Sequence, residues 1–376
     1  MHGRAVCRKT NDQPVAAFMR RSGGGINSRC SEALPRVRGA WGRAPIRMKE
    51  GIFVKQRRTR VGVLTSGGDA PGMNAVIRAV VRSAKQNNMR VYGIRGGYQG
   101  LFRADVTEME SNDVTDIIHR GGTILRTARC KEMMAEDGPK RAAEIIKVMQ
   151  LDAVIVVGGD GSFRGGQELA KHGINVICIP ATIDLDMECT EYTIGFDTAV
   201  NTAVNAITCI RDTSSSHERC SIVEVMGRNS GQLALWCSLV SGADEVIIPE
   251  NPLDATAVME QIVNNRNAGR RHNLVVVAEG IGGSNELAKE IEAVLKIESR
   301  ATILGHMQRG GTPTAVDRMH ASMMGFKAIE AIKDAKSSVV VSYINGQYKL
   351  IDLEEALKMK KEYSSETYDI IKTLAI

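Results

Sequence analysis

The chain has 376 residues, of which 43% are hydrophobic and 24% are charged, and its formal net charge is +6. This composition is typical of a soluble globular protein long enough for two domains, and no uninterrupted apolar run reaches the roughly 18 residues of a membrane helix. Residues 1–48 hold ten basic and two acidic side chains, which leaves 39 basic and 41 acidic residues elsewhere, so we expect neither nucleic acid nor a membrane as a partner.

The N-terminal segment, residues 1–57, is predicted to be a disordered basic extension. Nine arginines fall within its first 48 residues, together with Gly and Pro breakers and no sustained apolar period. Two explanations stay open for this segment. Its Arg-rich, acid-poor composition resembles an organelle transit peptide, and the alternative is translated upstream sequence before a start at Met48.

From Arg60 onward, short runs rich in Val and Ile alternate with stretches of helical spacing. The predicted strands are 60–65, 90–94, 152–159, 175–180, 221–227, 245–250 and 274–280. The predicted helices between them include 72–86, 111–120, 142–150, 165–172 and 202–213. This alternation indicates an α/β fold with mainly parallel sheets covered by helices on both faces. Ligands of such sheets bind at the carboxyl ends of the strands.

Two glycine-rich loops follow predicted strands and open predicted helices. They read TSGGDAPGMN (65–74) and GGDGSFRGG (158–166), and each contains an acid, Asp69 and Asp160. Glycine lets the backbone approach a phosphate, and the free amides at a helix start favour its negative charge. Neither loop is a Walker A sequence, because no Gly-Lys-Ser/Thr follows. Together the loops predict a phosphate-binding site.

Two carboxylates, Asp184 and Asp186, stand in PATIDLDMECT directly after an apolar strand. An extended backbone would place both on one face and Leu185 on the other. Asp160 and Asp186 are 26 residues apart, as adjacent strand ends would be, and Mg²⁺ between them would relieve the repulsion. Asp184 would then be free to accept a proton. The alternative is that these acids only cap helices or a loop.

Arginines beside glycine mark two later segments, RDTSSSHERCSIVEVMGRNSG and ESRATILGHMQRGGTP. The planar guanidinium group binds phosphate oxygens through two hydrogen bonds. His306 with Glu279 would suit sugar hydroxyls, and a satisfied core histidine is the alternative for His306. The candidate basic residues are Arg211, Arg219, Arg228, Arg300, His306 and Arg309.

From about Arg60 to Ile370 the sequence resembles the bacterial ATP-dependent 6-phosphofructokinases. The resemblance rests on LTSGGDAPGMNA, GGDGS, TID, YTIGFDTA, DTSSSHER, VEVMGR and RATILGHMQRGG. It implies transfer of the γ-phosphoryl group of MgATP to the 1-hydroxyl of fructose 6-phosphate by a homotetramer with shared active sites. It also implies two Rossmann-like three-layer α/β/α domains with the active site in the cleft between them. The larger, nucleotide-binding domain would comprise 58–195 plus 308–358, and the smaller, sugar-phosphate-binding domain 196–307 plus 359–376.

The family's functional residues carry over to matching positions of this chain. The resemblance implies Asp184 as general base, aided by Thr182, Arg228 and Gly68, and Asp160 with Asp186 as the magnesium-site acids. The implied nucleotide contacts are Gly68, Arg129, Cys130, Gly159, Asp160, Gly161 and Ser162. The implied sugar-phosphate contacts are Thr182, Asp184, Asp186, Arg219, Met226, Gly227, Arg228, Glu279, Arg300, His306 and Arg309. Of these, Arg219 and Arg300 resemble the pair donated across a subunit boundary.

An effector site for ADP or phosphoenolpyruvate is implied by the same resemblance. Its residues would be Arg78, Arg82, Arg211, Arg270 and His272. Two positions depart from the family, with Ala268 where a lysine often occurs and Asp244 where a glutamate does. These departures predict a weakened or retuned site.

Three departures lie in the predicted active site. Ala181 and Leu185 replace a glycine and an asparagine of the family, and Cys130 replaces an aromatic found in some relatives. Pyrophosphate-using members carry an acid at Gly161 and a lysine at Ala181, so the small residues here favour ATP. The alternatives are a pyrophosphate-dependent enzyme, a catalytically weak nucleotide-sensing paralogue, and an NAD kinase or lipid kinase. NAD and lipid kinases would not explain the MGR and GHMQRGG elements.

The number and spacing of the cysteines indicate the redox environment of the protein. The eight cysteines include no C-x-x-C pair and no Cys/His cluster at metal-ligand spacing. Most of those after residue 170 sit in apolar surroundings, where a buried free thiol is expected. The pattern predicts a reducing, cytoplasmic environment.

Overall fold

The computed structural model describes residues 57–252, 254–360 and 365–375. Gln56–Ile376 forms one compact unit. The prediction made for residues 1–57 lies, apart from Arg57, outside the described residues. No helix in the described ranges is long and apolar enough to cross a membrane.

A seven-stranded sheet organises the first part of the chain. Its strands are β1 (Arg60–Thr65), β2 (Arg90–Ile94), β3 (Val106–Met109), β4 (Ala153–Gly158), β5 (Val176–Pro180), β10 (Val339–Ile344) and β11 (Gln347–Asp352). The order across the sheet is β11-β10-β5-β4-β1-β2-β3. All neighbours pair in parallel except β2 with β3 and β10 with β11. The sheet is therefore parallel in its centre and antiparallel at both edges.

Helices cover both faces of this sheet. They are α1 (Met73–Gln86), α2 (Tyr98–Phe102), α3 (Gly138–Val148), α4 (Asp160–Lys171), α9 (Ala315–Lys333) and α10 (Leu353–Lys358). Alternate side chains of one strand enter different cores. In β4, Ile155 joins the cluster that contains residues of α1 and α9, whereas Val156 joins the cluster with residues of α3 and α4. This alternation produces the three layers expected of parallel strands buried on both faces.

A second, four-stranded parallel sheet follows. Its strands are β6 (Cys220–Val225), β7 (Glu245–Ile247), β8 (Asn273–Ala278) and β9 (Ser299–Ile303), in the order β7-β8-β6-β9. Its helices are α5 (Phe196–Ser216), α6 (Gln232–Ser241), α7 (Ala255–Asn267), α8 (Ser284–Leu295) and α11 (Glu366–Leu374). One face shares the large core that also contains α1 and α9, and the other packs on α7 and α8.

The chain crosses between the sheets at the start of α5, again between β9 and α9, and a third time between α10 and α11. The first sheet holds residues 60–180 and 339–352, and the second holds 220–303. The fold class is thus an α/β protein built on two mainly parallel sheets. The exact domain boundaries given above remain a prediction.

One predicted helix, 111–120, is wrong. The segment is a series of turns in which Asp116 has φ 55°, a left-handed conformation that interrupts a helix. The backbone forms short local turns instead of a helix. At the end of the segment, the Asn74 side-chain amide donates to the carbonyl oxygen of Arg120. The apolar residues Val114 and Ile117 are buried nonetheless. The apolar spacing therefore reports burial and not a helix.

Candidate active site

Three loops meet at the carboxyl ends of the central strands of the first sheet. Thr65 of β1 lies beside Val157 of β4, and Gly158 of β4 lies beside Pro180 of β5. The loops that follow these strands bound a cavity of about 280 Å³. Its lining consists of Ser66, Gly67, Gly68, Tyr98, Ala128, Arg129, Cys130, Met133, Met134, Gly159, Asp160, Gly161, Ser162, Gly165, Ala181, Thr182, Asp186, Arg228 and Arg309.

Glycine is required where β4 turns into α4. A Cβ atom on Gly158 would lie 2.5 Å from both the Ser162 Oγ and the Ser66 carbonyl oxygen, so no larger residue fits. Gly159 precedes the helix with no side-chain cap, and Asp160, Gly161 and Ser162 of the first turn line the cavity. The start of a twelve-residue helix is a favourable position for a phosphate group.

Asp184 lies between the two sheets and is only 1% exposed. One carboxylate oxygen is 3.5 Å from Nε of Arg228, and the other is 3.8 Å from a terminal nitrogen of Arg309. Both distances exceed those of a hydrogen bond, and Oδ1 has no hydrogen-bond partner. A hydrogen bond within the loop stabilises its conformation, because the Asp184 amide donates to Thr182 Oγ1 at 3.2 Å. A buried carboxylate with a free oxygen therefore faces two guanidinium groups.

The extended backbone predicted for Asp184 to Asp186 is wrong. Leu185 has φ 48°, in the left-handed region, and the chain bends there. Leu185 is nevertheless 9% exposed and belongs to the large core, so its side chain points away from the cavity as predicted. The bend keeps both carboxylates near the cavity although their backbone is not a strand.

Asp186 and Asp160 form the pair predicted to hold a cation. Burial raises the pKa of Asp186, and the neighbouring charge of Asp184 raises it further. Its Oδ1 is buried without a hydrogen-bond partner. Asp160 keeps one oxygen 2.8 Å from Nε of Arg164, which leaves the other oxygen available. Unsatisfied carboxylate oxygens and mutual repulsion are what a divalent cation would relieve.

This donor set fits magnesium better than a metal bound by the protein alone. Within the described residues no group of three or more His, Cys, Asp or Glu side chains could hold a metal ion. Mg²⁺ commonly takes one or two carboxylates and completes its shell with water and substrate phosphates. Asp160 and Asp186 beside the start of α4, a favourable position for a phosphate group, fit that requirement.

The second sheet contributes a turn after β6. The Glu279 carboxylate accepts hydrogen bonds from the amides of Gly227 (3.3 Å) and Arg228 (2.8 Å), and the Met226 amide donates to Gln308 Oε1. These bonds stabilise Arg228 at φ 55°, a conformation that is unusual for arginine. Glu279, predicted to bind sugar hydroxyls, thus holds the Arg228 turn through one oxygen and has only the other for a ligand.

Arg309 brings the second crossover to the cavity. It ends the 3₁₀-helix Gly305–Arg309, donates to the Asp69 carbonyl oxygen at 3.3 Å and lies against Gly68 so closely that a Cβ there would overlap its guanidinium group. His306 of the same turn is exposed, so the alternative of a satisfied core histidine is wrong. The charge of Arg309 therefore lies between the first glycine loop and Asp184.

Arg219 and Arg300 are not brought to this cavity. Both contact the Glu298 carboxylate, at 2.7 Å and 3.0 Å. Arg219 precedes β6, whereas Met226 follows it, and a six-residue strand is about 20 Å long. The guanidinium groups of Arg219 and Arg300 beside Glu298 lower the pKa of its carboxyl group. The pair therefore lies at the far end of the strand from the chain's own Asp184.

The predicted effector residues divide into two groups. Arg211, Arg270 and His272 line a separate cavity of about 420 Å³ together with Asp244, which pairs with Arg270 at 2.8 Å. Arg78 and Arg82 lie on α1, which belongs to the first sheet, and do not line this cavity. A single chain therefore assembles only part of the predicted site.

Among the lining residues of the cavity, sequence reasoning missed Tyr98, Met133, Met134 and Gly165. Arg129 and Cys130, which were predicted, line the same cavity. Burial raises the pKa of the Cys130 thiol, so it behaves as a small apolar side chain. The Tyr98 hydroxyl donates to the Ser162 carbonyl at 2.6 Å and fixes the start of α4. The spacing of these residues carried no signal, because they come together from α2, the segment before α3, and α4.

The fold and the site define a parallel α/β protein with glycine loops suited to phosphate and a buried carboxylate between two sheets. Residues 60–332 match the family model described as phosphofructokinase. The chain belongs to the phosphofructokinase family.

Similar proteins cover nearly all of the described chain. A protein of Clostridium botulinum (strain Loch Maree / Type A3) named ATP-dependent 6-phosphofructokinase is 53% identical over 315 residues, which are 84% of this chain and 99% of that protein. A protein of the same name from Alkaliphilus metalliredigens is 49% identical over 316 residues. The solved phosphofructokinase of Saccharomyces cerevisiae matches with TM-score 0.75 and 31% identity, over 85% of this chain and 48% of that chain. This chain thus spans about half the length of the yeast chain.

Proposed function

We propose that the chain transfers the γ-phosphoryl group of ATP to the 1-hydroxyl of fructose 6-phosphate, which yields fructose 1,6-bisphosphate. The observation that carries the proposal is the buried Asp184 carboxylate, which faces Arg228 and Arg309 beside a glycine-lined cavity. Membership of the phosphofructokinase family and relatives named ATP-dependent 6-phosphofructokinase support the reaction. The enzyme is thus a kinase, at the committed step of glycolysis.

Asp184 acts as the general base in this proposal. Its free oxygen accepts the proton of the 1-hydroxyl as that oxygen attacks phosphorus, and such a base contributes about 10²- to 10⁴-fold to the rate. Thr182 orients Asp184, and Arg228 and Arg309 neutralise charge that builds on the phosphoryl oxygens. The backbone of Gly68 lies against the transferred group.

Asp160 and Asp186 would hold Mg²⁺, whose chemistry when bound is to neutralise the β- and γ-phosphate charges. The nucleotide phosphates would lie on the start of α4, at Gly159, Gly161 and Ser162. Arg129 and Cys130, which line the same cavity, would contact the nucleoside.

ATP rather than pyrophosphate is the proposed donor. A Cβ atom on Gly161 would have no neighbour within 4 Å, so the glycine leaves open space beside the phosphate site. Ala181 is small and apolar at the cavity wall and adds no charge to compete for phosphate. Room for a nucleoside favours ATP over the smaller donor.

On the sugar side, we propose that Met226, Gly227, Glu279, His306 and Arg309 bind fructose 6-phosphate. Arg219 and Arg300 would serve the active site of a neighbouring subunit, because both lie at the far end of β6 from the chain's own Asp184. That arrangement supports a homotetramer with shared active sites.

Self-association has further support in an exposed apolar stripe on α9. Val316, Met319, Met323 and Phe326 are each at least 40% exposed and recur at helical spacing on one face.

The cavity at Arg211, Arg270 and His272 would take ADP or phosphoenolpyruvate, with Arg78 and Arg82 supplied by another subunit. We place the enzyme in the cytoplasm.

A donor and acceptor panel on the purified protein tests the proposed function. ATP and pyrophosphate are each combined with fructose 6-phosphate and with other sugar phosphates, and the product is identified by its position of phosphorylation. Turnover with ATP and fructose 6-phosphate supports the proposal. Saturation by pyrophosphate with no turnover on ATP would overturn the donor assignment, and ATP binding without any turnover would indicate a nucleotide-sensing paralogue.

A further inference from the structure

Asp317 is a fully buried acid that the proposed chemistry does not use. It stands in the first turn of α9, and its side chain has 0% exposure. Its carboxylate accepts hydrogen bonds from the Gly195 amide (2.6 Å), the Thr198 amide (2.8 Å), the Thr198 hydroxyl and the Tyr192 hydroxyl (2.6 Å). All four donors are neutral. Four converging donors on one buried carboxylate make a rigid junction.

This junction begins α5, the helix by which the chain leaves the first sheet. Gly195 precedes α5 at φ 103°, and α5 has no side-chain cap of its own. Asp317 supplies the missing cap from a different helix, because two of its donors are amides at the start of α5. The position of α5 therefore depends on the position of α9.

Three loops of the active site end at the same junction. The Thr193 hydroxyl donates to the Thr182 carbonyl at 2.7 Å and so links the junction to the loop of Asp184. The Thr314 amide donates to the Thr198 hydroxyl oxygen at 3.1 Å, five residues after Arg309. The glycine loop also ends here, since a Cβ on Gly72 would lie 3.6 Å from the Asp317 Cβ.

We propose that Asp317 is a positioning residue for phosphoryl transfer, which holds Asp184 and Arg309 at fixed relative positions by joining the first two crossovers between the sheets. The inference rests on the proposed function, because Asp317 acts through Asp184. A misplacement of about 1 Å between reacting groups lowers rates by about 10²-fold, so a junction of this kind affects turnover more than substrate affinity.

Asp317→Asn tests the proposal with little change of volume. The amide keeps one acceptor oxygen, but its NH₂ group faces donors that have no partner left. We expect kcat to fall by about 10- to 10²-fold while the KM for ATP changes by less than about twofold. Thr193→Val removes only the link to Thr182, leaves Asp317 and its donors intact, and should reproduce the loss of kcat.

Tyr348→Phe is the matched control. The Tyr348 hydroxyl lies 2.9 Å from Nδ1 of His320 in the same buried region, but it does not contact Asp317. This variant should lose thermal stability without loss of kcat. If Asp317→Asn does not fold, Thr193→Val decides the question by the same comparison.

The double variant with Asp184→Asn separates positioning from simple destabilisation. If Asp317 acts through Asp184, Asp317→Asn should lower the residual rate of Asp184→Asn by less than about twofold, since coupled effects are not additive. Fully additive losses, or unchanged kcat in both Asp317→Asn and Thr193→Val, would overturn the inference. Near wild-type kcat in Asp184→Asn would instead reject Asp184 as the base, and a wild-type enzyme without turnover on ATP and fructose 6-phosphate would overturn the proposed function.

Discussion

A guanidinium nitrogen of Arg309 lies 3.8 Å from a carboxylate oxygen of Asp184. Asp184 follows a strand of the seven-stranded sheet, and Arg309 follows the last strand of the four-stranded sheet. Opposite charges from two sheets thus face each other across the cavity. The two groups attract each other at this distance without forming a hydrogen bond, so Asp184 keeps an oxygen that has no hydrogen-bond partner.

Replacing Asp184 should abolish most turnover. We expect Asp184→Asn to lower kcat by at least about 10²-fold with little change in the KM for fructose 6-phosphate, because the base acts only as the proton leaves. Steady-state assays over both substrates measure this. Near wild-type turnover would reject Asp184 as the base.

Adding one methyl group at Gly68 should displace Arg309. In Gly68→Ala the new Cβ overlaps the guanidinium group, which is the flexible end of a side chain and moves at little cost to the fold. We expect kcat to fall by about 10²-fold, the effect of removing one preorganised charge donor, with unchanged thermal stability. Gly310→Ala is the control, since its Cβ meets only the Met307 carbonyl at 3.8 Å. Equal activity of the two variants would contradict the placement of Arg309.

Activity should depend on pH through Asp186. Burial and the charge of Asp184 raise the pKa of Asp186, and only the ionised carboxylate binds Mg²⁺. As the pH falls through this raised pKa, the Mg²⁺ concentration for half-maximal activity should rise, and excess Mg²⁺ should restore the rate. A magnesium titration at several pH values checks this, and a pH-independent requirement would argue against Asp186 as a ligand.

The same shift has a consequence for stability. An acid whose pKa is raised in the folded state stabilises the fold at low pH, and that contribution is lost as the pH rises through the folded pKa. In the absence of metal, Asp186→Asn should therefore have the higher melting temperature at neutral pH, and the difference should vanish in acid. If Asp186→Asn instead has a lower melting temperature than the wild type at neutral pH, then the ionised Asp186 carboxylate has stabilising partners without a cation.

A negative charge at Gly161 should impair the use of ATP. The position has open space, so Gly161→Asp fits sterically but sets a carboxylate beside the phosphate site. We expect kcat/KM for ATP to fall by at least about tenfold, because juxtaposed like charges cost several kcal/mol. Gly161→Asn has the same shape without the charge and should lose much less. If both variants lose equally, volume rather than charge controls the donor site.

Leu185 offers a test of backbone strain at the catalytic loop. Leu185→Ala and Leu185→Gly both remove the buried side chain, but only glycine adopts φ 48° without strain. Glycine usually lowers the free energy of unfolding by about 0.5–1 kcal/mol relative to alanine. Here we expect the glycine variant to be the more stable of the two, by up to about 1 kcal/mol. Urea denaturation of the two variants measures the difference. A more stable alanine variant would contradict the strained conformation.

The α/β class followed from the sequence because parallel strands buried on both faces leave uninterrupted Val and Ile runs, as in β4. The edge strands β3 and β11 were not predicted. In β11 only Tyr348 and Ile351 are partly buried and the other residues are exposed, and β3 has only four residues, so neither strand carries that signal. The turn segment 111–120 was predicted as a helix because its apolar spacing reports burial and not the partners of its backbone.

The residues of the candidate site were predictable where one short motif carries several of them, as in the loops at Gly68, Gly161 and Asp184. Contacts between residues that are far apart in the sequence were not predictable. Asp317 reads as an ordinary acid in the first turn of a helix, and only the fold brings Gly195 and Thr198 to it. Likewise, the pairing of Glu279 with the Arg228 turn has no local signature.

The pairing of β5 with β10 delays completion of the first sheet during synthesis. Ile177 lies beside Val339, so β5 remains an uncovered apolar edge until about 160 further residues have been made, which at ribosomal speed takes roughly 10–30 s. The nascent chain therefore exposes an open edge of a type that associates with other strands. Chaperone dependence during translation, rather than low stability of the finished enzyme, is the expected cost of this topology.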